Sequence, residues 1–228
     1  MKIGILQTGL VPAELAGETG EYPAFFARLL DGYGFDFQSW SVVNGEFPEG
    51  PEAADGWLIT GSRHGAYEDH AWIPPLEQLI RDIYAAGKPL IGVCFGHQII
   101  AQALGGKVEK HPGGWVVGPT TYRFKDGQEK VINAWHQDQV TELPQGAEVV
   151  ASSDFCDYAA LLYPGHAYTV QPHPEFNDDF TRALIQTRGP GVVPQERLDA
   201  ADKALGIPLD QRALADQFAH FFKQKALA

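Results

Sequence analysis

Pro89-Leu90-Ile91-Gly92-Val93-Cys94-Phe95-Gly96-His97-Gln98 is an apolar run that ends in a glycine-flanked cysteine and then takes up helical spacing. Such a run reads as a buried strand passing into a helix through a tight turn. Glycine is needed two places before and two places after the cysteine, because side chains there would collide with the incoming strand or the outgoing helix. This is the cysteine form of the nucleophile elbow. Strain in the turn lifts the sulfur out of the sheet, and the unpaired N–H groups and positive pole of the following helix stabilise a thiolate and can hold an oxyanion. Taken alone, Gly92 to Gly96 fits a small buried cysteine as well as a nucleophile.

Upstream, short apolar segments alternate with helix-period segments, the pattern of βαβ units around a parallel sheet. Strands are expected at Lys2–Gln7, Asp36–Val43, Gly56–Thr60 and Pro89–Val93, with amphipathic crossover helices at Tyr22–Tyr33 and Pro74–Ala86. Downstream of the helix Gly96–Leu104 come short strand-like pieces at Lys107–Glu109, Trp115–Phe124, Val131–Ala134, Val149–Ser152, Ala159–Tyr163 and Ala167–Val170. That half reads as β-rich and partly antiparallel. Helical composition returns after Phe176, broken at Gly189-Pro190-Gly191, and the stripe Leu214, Phe218, Phe221, Phe222 reads as core or as an oligomer contact. The expectation is one domain over 1–228 with a C-terminal helical extension at about 177–228.

The 228 residues, 44% hydrophobic, suffice for one full core. Scattered acids, 29 against 17 Lys and Arg for a net −12, argue against nucleic acid or an anionic membrane as partner. Two cysteines, Cys94 and Cys156, fit a reducing compartment, and the apolar run Ile3–Leu6 is too short for a signal peptide, so the expected location is cytoplasmic.

The second constellation is Gln171-Pro172-His173-Pro174-Glu175-Phe176. A thiol nucleophile needs a base that takes its proton and returns it to a leaving amine, and an imidazole held by a carboxylate does this near neutral pH. If the segment is extended, His173 and Glu175 lie on one side by strand alternation.

With Gly92-Val93-Cys94-Phe95-Gly96-His97-Gln98 and His173-Pro174-Glu175, the sequence resembles the class I, or triad-type, glutamine amidotransferases. Ile59-Thr60-Gly61-Ser62 sits where that family has its oxyanion turn, Gly105-Gly106 follows the elbow helix, and Trp135-His136-Gln137-Asp138 falls where a glutamine-pocket segment lies. The resemblance implies a doubly wound α/β fold, a mostly parallel sheet flanked by helices in a flavodoxin-like sandwich, and thioester chemistry with no cofactor. It implies Cys94 as nucleophile, His173 as base then acid, and Glu175 as the group orienting His173. It further implies oxyanion N–H donors at Phe95 and in the Gly61–Ser62 turn, and substrate contacts from Gln98, Trp135, His136 and Asp138.

The chain departs from the family pattern at Pro172, where an aromatic residue is common, and at Gly61-Ser62-Arg63, where Gly-Gly-Pro is common. Which N–H of that turn faces the oxyanion stays open. Without a synthetase domain after Ala228, the sequence resembles the stand-alone branch, similar to the amidotransferase of GMP synthase. The implied partners are glutamine or a γ-glutamyl compound, a separate ammonia-accepting synthetase, and a second copy in a homo-oligomer. The alternatives are a γ-glutamyl peptide hydrolase, a non-catalytic glutamine-binding regulator, and a redox-chaperone-type sandwich protein, which the late His173 and Glu175 disfavour.

Other signals read as local structure. His64, Glu68, Asp69 and His70 match no strong metal-ligand spacing, so Arg63–His70 is expected to be a loop over the site, not a metal centre. His97 and His111 read as hydrogen-bonding residues, and Cys156 as a thiol kept inert by neighbouring acids.

Overall fold

The computed structural model describes residues 1–227. Its central sheet has nine strands. Along the chain come β1 (Lys2–Leu6), α1 (Ala13–Thr19), α2 (Tyr22–Leu29), β2 (Asp36–Trp40), β3 (Gly56–Ile59), α3 (Ile73–Ala85), β4 (Leu90–Val93) and α4 (Phe95–Ala103). The second half carries β5 (Lys107–Lys110), β6 (Val116–Phe124), β7 (Glu129–His136), β8 (Asp138–Glu142), β9 (Glu148–Ser152), β10 (Ala160–Tyr163) and β11 (Ala167–Val170). It closes with α5 (Asp178–Thr187), α6 (Gln195–Ala204) and α7 (Gln211–Gln224).

The sheet runs β2-β1-β3-β4-β11-β10-β9-β6-β7, and β5 pairs with β8 in a separate ribbon. From β2 to β11 every pairing is parallel, and from β11 to β7 every pairing is antiparallel. The expected doubly wound α/β sandwich is therefore present, with the β-rich half joined to the same sheet. Strands β3, β4 and β11 are buried along their whole length, which is why they read as unbroken apolar runs rather than as alternation. β4 lies between β3 and β11, so its C-terminal end, where Cys94 follows, opens at the middle of the parallel region. Crevices beyond the carboxyl ends of parallel strands are the usual binding sites of such folds.

Two cores cover the two faces. One holds Ile3, Ile5 and Leu58 with Leu214, Phe218, Phe221 and Phe222 of α7; the other holds Leu76, Ile80 and Ile83 of α3 with Ile99 and Ile100 of α4. The C-terminal stripe is thus core, with each of its four residues no more than 2% exposed.

Some expectations shift. The strand from Asp36 ends at Trp40, and Val42–Asn44 forms a 3-10 turn instead. Helix α1 carries no buried residue and α6 only Leu198 and Ala201, so neither has the apolar stripe that marks a helix in sequence. Asp138, expected only as pocket lining, begins strand β8, which sequence reading did not place. No helix among the described residues is long and apolar enough to cross a membrane. Cys156 is buried, and burial, more than the adjacent Asp157, pushes its thiol up to about 12.

Candidate active site

Cys94 joins β4 to α4 with φ 52° and ψ −105°; the only other non-glycine residue with positive φ among the described residues is Lys225. The glycine requirement is visible in the packing. A Cβ on Gly92 would stand 2.5 Å from the Gly96 carbonyl oxygen, and one on Gly96 would stand 2.3 Å from the carbonyl oxygen of Ile59. The Cys94 N–H donates to the Val170 carbonyl (2.9 Å), and Gln98 N–H donates to the Cys94 carbonyl (3.1 Å). The N–H groups of Phe95, Gly96 and His97, the first three in α4, have no acceptor within the helix, which is the normal state of a helix start. The Phe95 side chain is fully buried, so its N–H is what it can offer a ligand.

His173 and Glu175 meet, but not by strand alternation. Phe176 N–H donates to the His173 carbonyl (3.2 Å), so His173 to Phe176 form a turn, and in it Nδ1 of His173 lies 2.7 Å from Oε1 of Glu175. Two prolines in the segment explain why no strand continues there. The turn is held from outside: His173 N–H donates to the Asn133 carbonyl (2.8 Å), Asn133 Nδ2 donates to the Phe176 carbonyl (3.0 Å), and Gln211 of α7 donates to the carbonyls of Pro174 (2.6 Å) and Phe176 (3.0 Å). Phe176 lies flat on the imidazole. His173 and Glu175 are both nearly excluded from water. Burial, the largest single influence on the ring, works against its proton. The Glu175 carboxylate and the Cys94 sulfur, to which the ring also hydrogen-bonds, outweigh it and raise His173 to about 10. The surroundings therefore favour the protonated ring beside the sulfur.

The cleft above the sulfur has a volume of about 330 Å³. Cys94 and His173 line it together with Gly61, Ser62, Gln98, Trp135, His136 and Asp138, so the sequence-predicted set converges apart from Phe95 and Glu175, which sit behind the wall. Gly61 is close to both Cys94 and His173: a Cβ there would stand 2.9 Å from Cε1 of His173 and 3.6 Å from Cβ of Cys94. Gln98 is less free than expected, since its Nε2 donates to the Asp138 carbonyl (2.8 Å) and to Gln171 Oε1 (3.1 Å). Burial and the nearby His173 charge lower His136 to about 3, so it faces the cleft as a neutral ring.

The class I glutamine amidotransferase family description matches residues 49–185. The chain belongs to that family. Gamma-glutamyl peptidase 4 of Arabidopsis thaliana is 36% identical over 189 residues, covering 76% of this chain and 75% of that protein. The glutamine-hydrolyzing GMP synthase of Staphylococcus saprophyticus is 34% identical over 144 residues, 58% of this chain and 27% of that protein. A crystal structure of a glutamine amido transferase from Methylobacillus flagellatus superposes with a TM-score of 0.74 at 23% identity, covering 97% of this chain and 92% of that one, a likeness of fold.

Within this family member, several cleft residues escape sequence reading. Tyr22 of α2 lines the cleft and stacks on Phe176 (6.1 Å between ring centroids); burial and then the Glu175 and Cys94 charges push its hydroxyl far up, so it stays neutral. Glu21 accepts from Gln7 Nε2 (2.8 Å) and Val11 N–H (3.0 Å), fixing the segment that brings Leu10 and Pro12 to the cleft. Arg63, Lys110, Arg188, Trp115 and Tyr67 also line it. Their only advance signal was the expectation of a loop at Arg63–His70, which does wall the cleft. Tyr67 hydrogen-bonds Asp138, and burial together with that carboxylate pushes it up to about 12.

Proposed function

We propose that this chain is a cysteine hydrolase of γ-glutamyl amide bonds, cleaving the side-chain carboxamide of glutamine through a γ-glutamyl thioester. The observation that carries the reading is the pairing of the strained Cys94 turn with the His173–Glu175 contact of 2.7 Å at the end of the same sheet. In the first half-reaction the Cys94 sulfur adds to the carboxamide carbon. Phe95 N–H and an N–H of the Gly61–Ser62 turn take the oxyanion charge, each such donor contributing about 2.7–4 kcal/mol. The C–N bond breaks as His173 gives its proton to the leaving nitrogen, and ammonia departs. In the second, His173 takes a proton from water, the oxygen attacks the thioester, and glutamate leaves the sulfur. Asp138 serves the substrate α-ammonium. Gln98, Trp135 and His136 complete the pocket.

A second reading, hydrolysis of γ-glutamyl peptides, is favoured by the charge of the cleft. Arg63, Lys110 and Arg188 line it with the carboxylates Glu68 and Asp138, while the arginine and lysine ion pairs of the chain lie elsewhere. A γ-glutamyl dipeptide brings two carboxylates and one ammonium, the complementary set, and its leaving amine is an amino acid instead of ammonia. The relative named as a γ-glutamyl peptidase supports the same choice. Where ammonia is the product, a separate synthetase is its receiver, and a reducing, cytoplasmic setting suits the two free cysteines.

Comparison of kcat/KM for glutamine and for γ-glutamyl dipeptides tests the proposal and ranks the two substrates. Folded protein that cleaves neither class contradicts it.

A further inference from the structure

The loop that walls the cleft carries a cluster that takes no part in the bond-making and bond-breaking steps. Nδ1 of His64 lies 3.3 Å and Nε2 of His70 lies 2.7 Å from the same oxygen of Glu68, and the three side chains offer ligand atoms all within 4.8 Å of one another. The sequence spacing resembles no ligand pattern because such patterns assume a helix or a knuckle. Here the chain makes a turn, with Glu68 N–H donating to the Gly65 carbonyl (3.1 Å), and the turn folds position 70 back beside position 64. Asp69 is not part of the cluster.

The donors are chemically matched. Nδ1 of His64 and Nε2 of His70 both face the Glu68 carboxylate, so a cation taking the place of the shared protons meets two imidazole nitrogens and one carboxylate oxygen. Two imidazoles and one carboxylate suit a late first-row cation better than calcium or magnesium, and three protein donors leave a four-coordinate ion one position for water or a carboxylate.

The surroundings hold the donors in place. Trp72 stacks on His70 with planes 9° apart, and Trp72 also meets Phe95, the residue after the cysteine, with ring centroids 5.6 Å apart. His64 N–H donates to Ser62 Oγ (3.2 Å), next to Gly61. His64 and Glu68 themselves line the cleft.

We propose that His64, Glu68 and His70 bind one divalent cation of the zinc class at the wall of the cleft, where it ties the loop from Ser62 to Trp72 into one conformation. The site is independent of the hydrolase reading, since neither Cys94 nor His173 is a ligand.

Titration of the Cys94→Ser protein with Co²⁺ and with Zn²⁺ tests this, because the substitution removes the competing sulfur. The expected result is one Co²⁺ per chain, a visible d–d band without a sulfur charge-transfer band, and a melting temperature raised by Zn²⁺. His64→Ala, His70→Ala and the near-isosteric Glu68→Gln each weaken binding roughly tenfold or more while keeping the metal-free melting curve. Absence of binding to folded protein overturns the proposal. So does binding that the three loop substitutions leave unchanged, or binding present in the wild type and lost in Cys94→Ser.

Discussion

The imidazole of His173 and the ring of Phe176 lie face to face, their centroids 4.0 Å apart and their planes 4° from parallel. One face of the proposed base is thus held by an aromatic ring that also packs against Phe25 and Phe180 in a small buried cluster. Phe176→Leu leaves the ring of His173 with freedom to tilt. The expected result is a fall in kcat of roughly tenfold to a hundredfold with a smaller change in KM, since a misplacement of about 1 Å costs up to about 100-fold. Steady-state kinetics on glutamine and on a γ-glutamyl dipeptide measure the split, and a change confined to KM contradicts this role.

Glu175 favours the imidazolium. With its charge removed in Glu175→Gln, the proton on His173 is held less tightly. In the wild type the alkaline limb of the kcat/KM profile is expected near pH 10, where His173 gives up the proton needed by the leaving nitrogen. In the variant the limb moves to lower pH and the maximum falls by about 10²- to 10⁴-fold. An unshifted limb shows that another group sets it.

Glycine at the elbow is a matter of space as well as strain. Gly96→Ala puts a methyl group 2.3 Å from the backbone oxygen of Ile59, an atom that cannot swing aside. Overpacking of this kind costs about 1–3 kcal/mol or more, and urea midpoints measure it. Gly61→Ala differs. Its methyl meets the ring edge of His173 at 2.9 Å, so the expected loss is mainly of activity, with a smaller change in the midpoint.

His97 and His136 are buried, and burial lowers each to about 3. Between about pH 6.5 and pH 3 the unfolded chain binds a proton at each of these residues and the folded chain does not. Stability therefore falls as the pH falls through that window, by about 1.4 kcal/mol per pH unit for each fully effective histidine. Urea unfolding at a series of pH values checks the slope, and His97→Gln, with its single-histidine contribution gone, flattens it. A slope unchanged by that substitution contradicts the assignment.

The parallel half of the sheet was legible because β3, β4 and β11 are apolar runs bounded by breakers, and because Gly92-Val93-Cys94-Phe95-Gly96 marks a strand passing into a helix through a tight turn. The turn at His173 was legible as a set of residues but not as a shape, since its geometry depends on Asn133 and Gln211, distant in sequence. Tyr22, Lys110 and Arg188 reach the cleft only through the packing of α2, β5 and α5, and nothing local marks them. His64, Glu68 and His70 were visible as a group of residues but not as a cluster in space, because the turn that closes it has no periodicity to read.

The most direct test of the central claim, that Cys94 forms a γ-glutamyl thioester, is mass spectrometry of the intact protein after exposure to a glutamine-like electrophile. The account predicts one label per chain, mapped to Cys94, suppressed by excess glutamine or γ-glutamyl dipeptide and absent from Cys94→Ser. Folded wild-type protein that takes no label, or takes it on Cys156 instead, would contradict it.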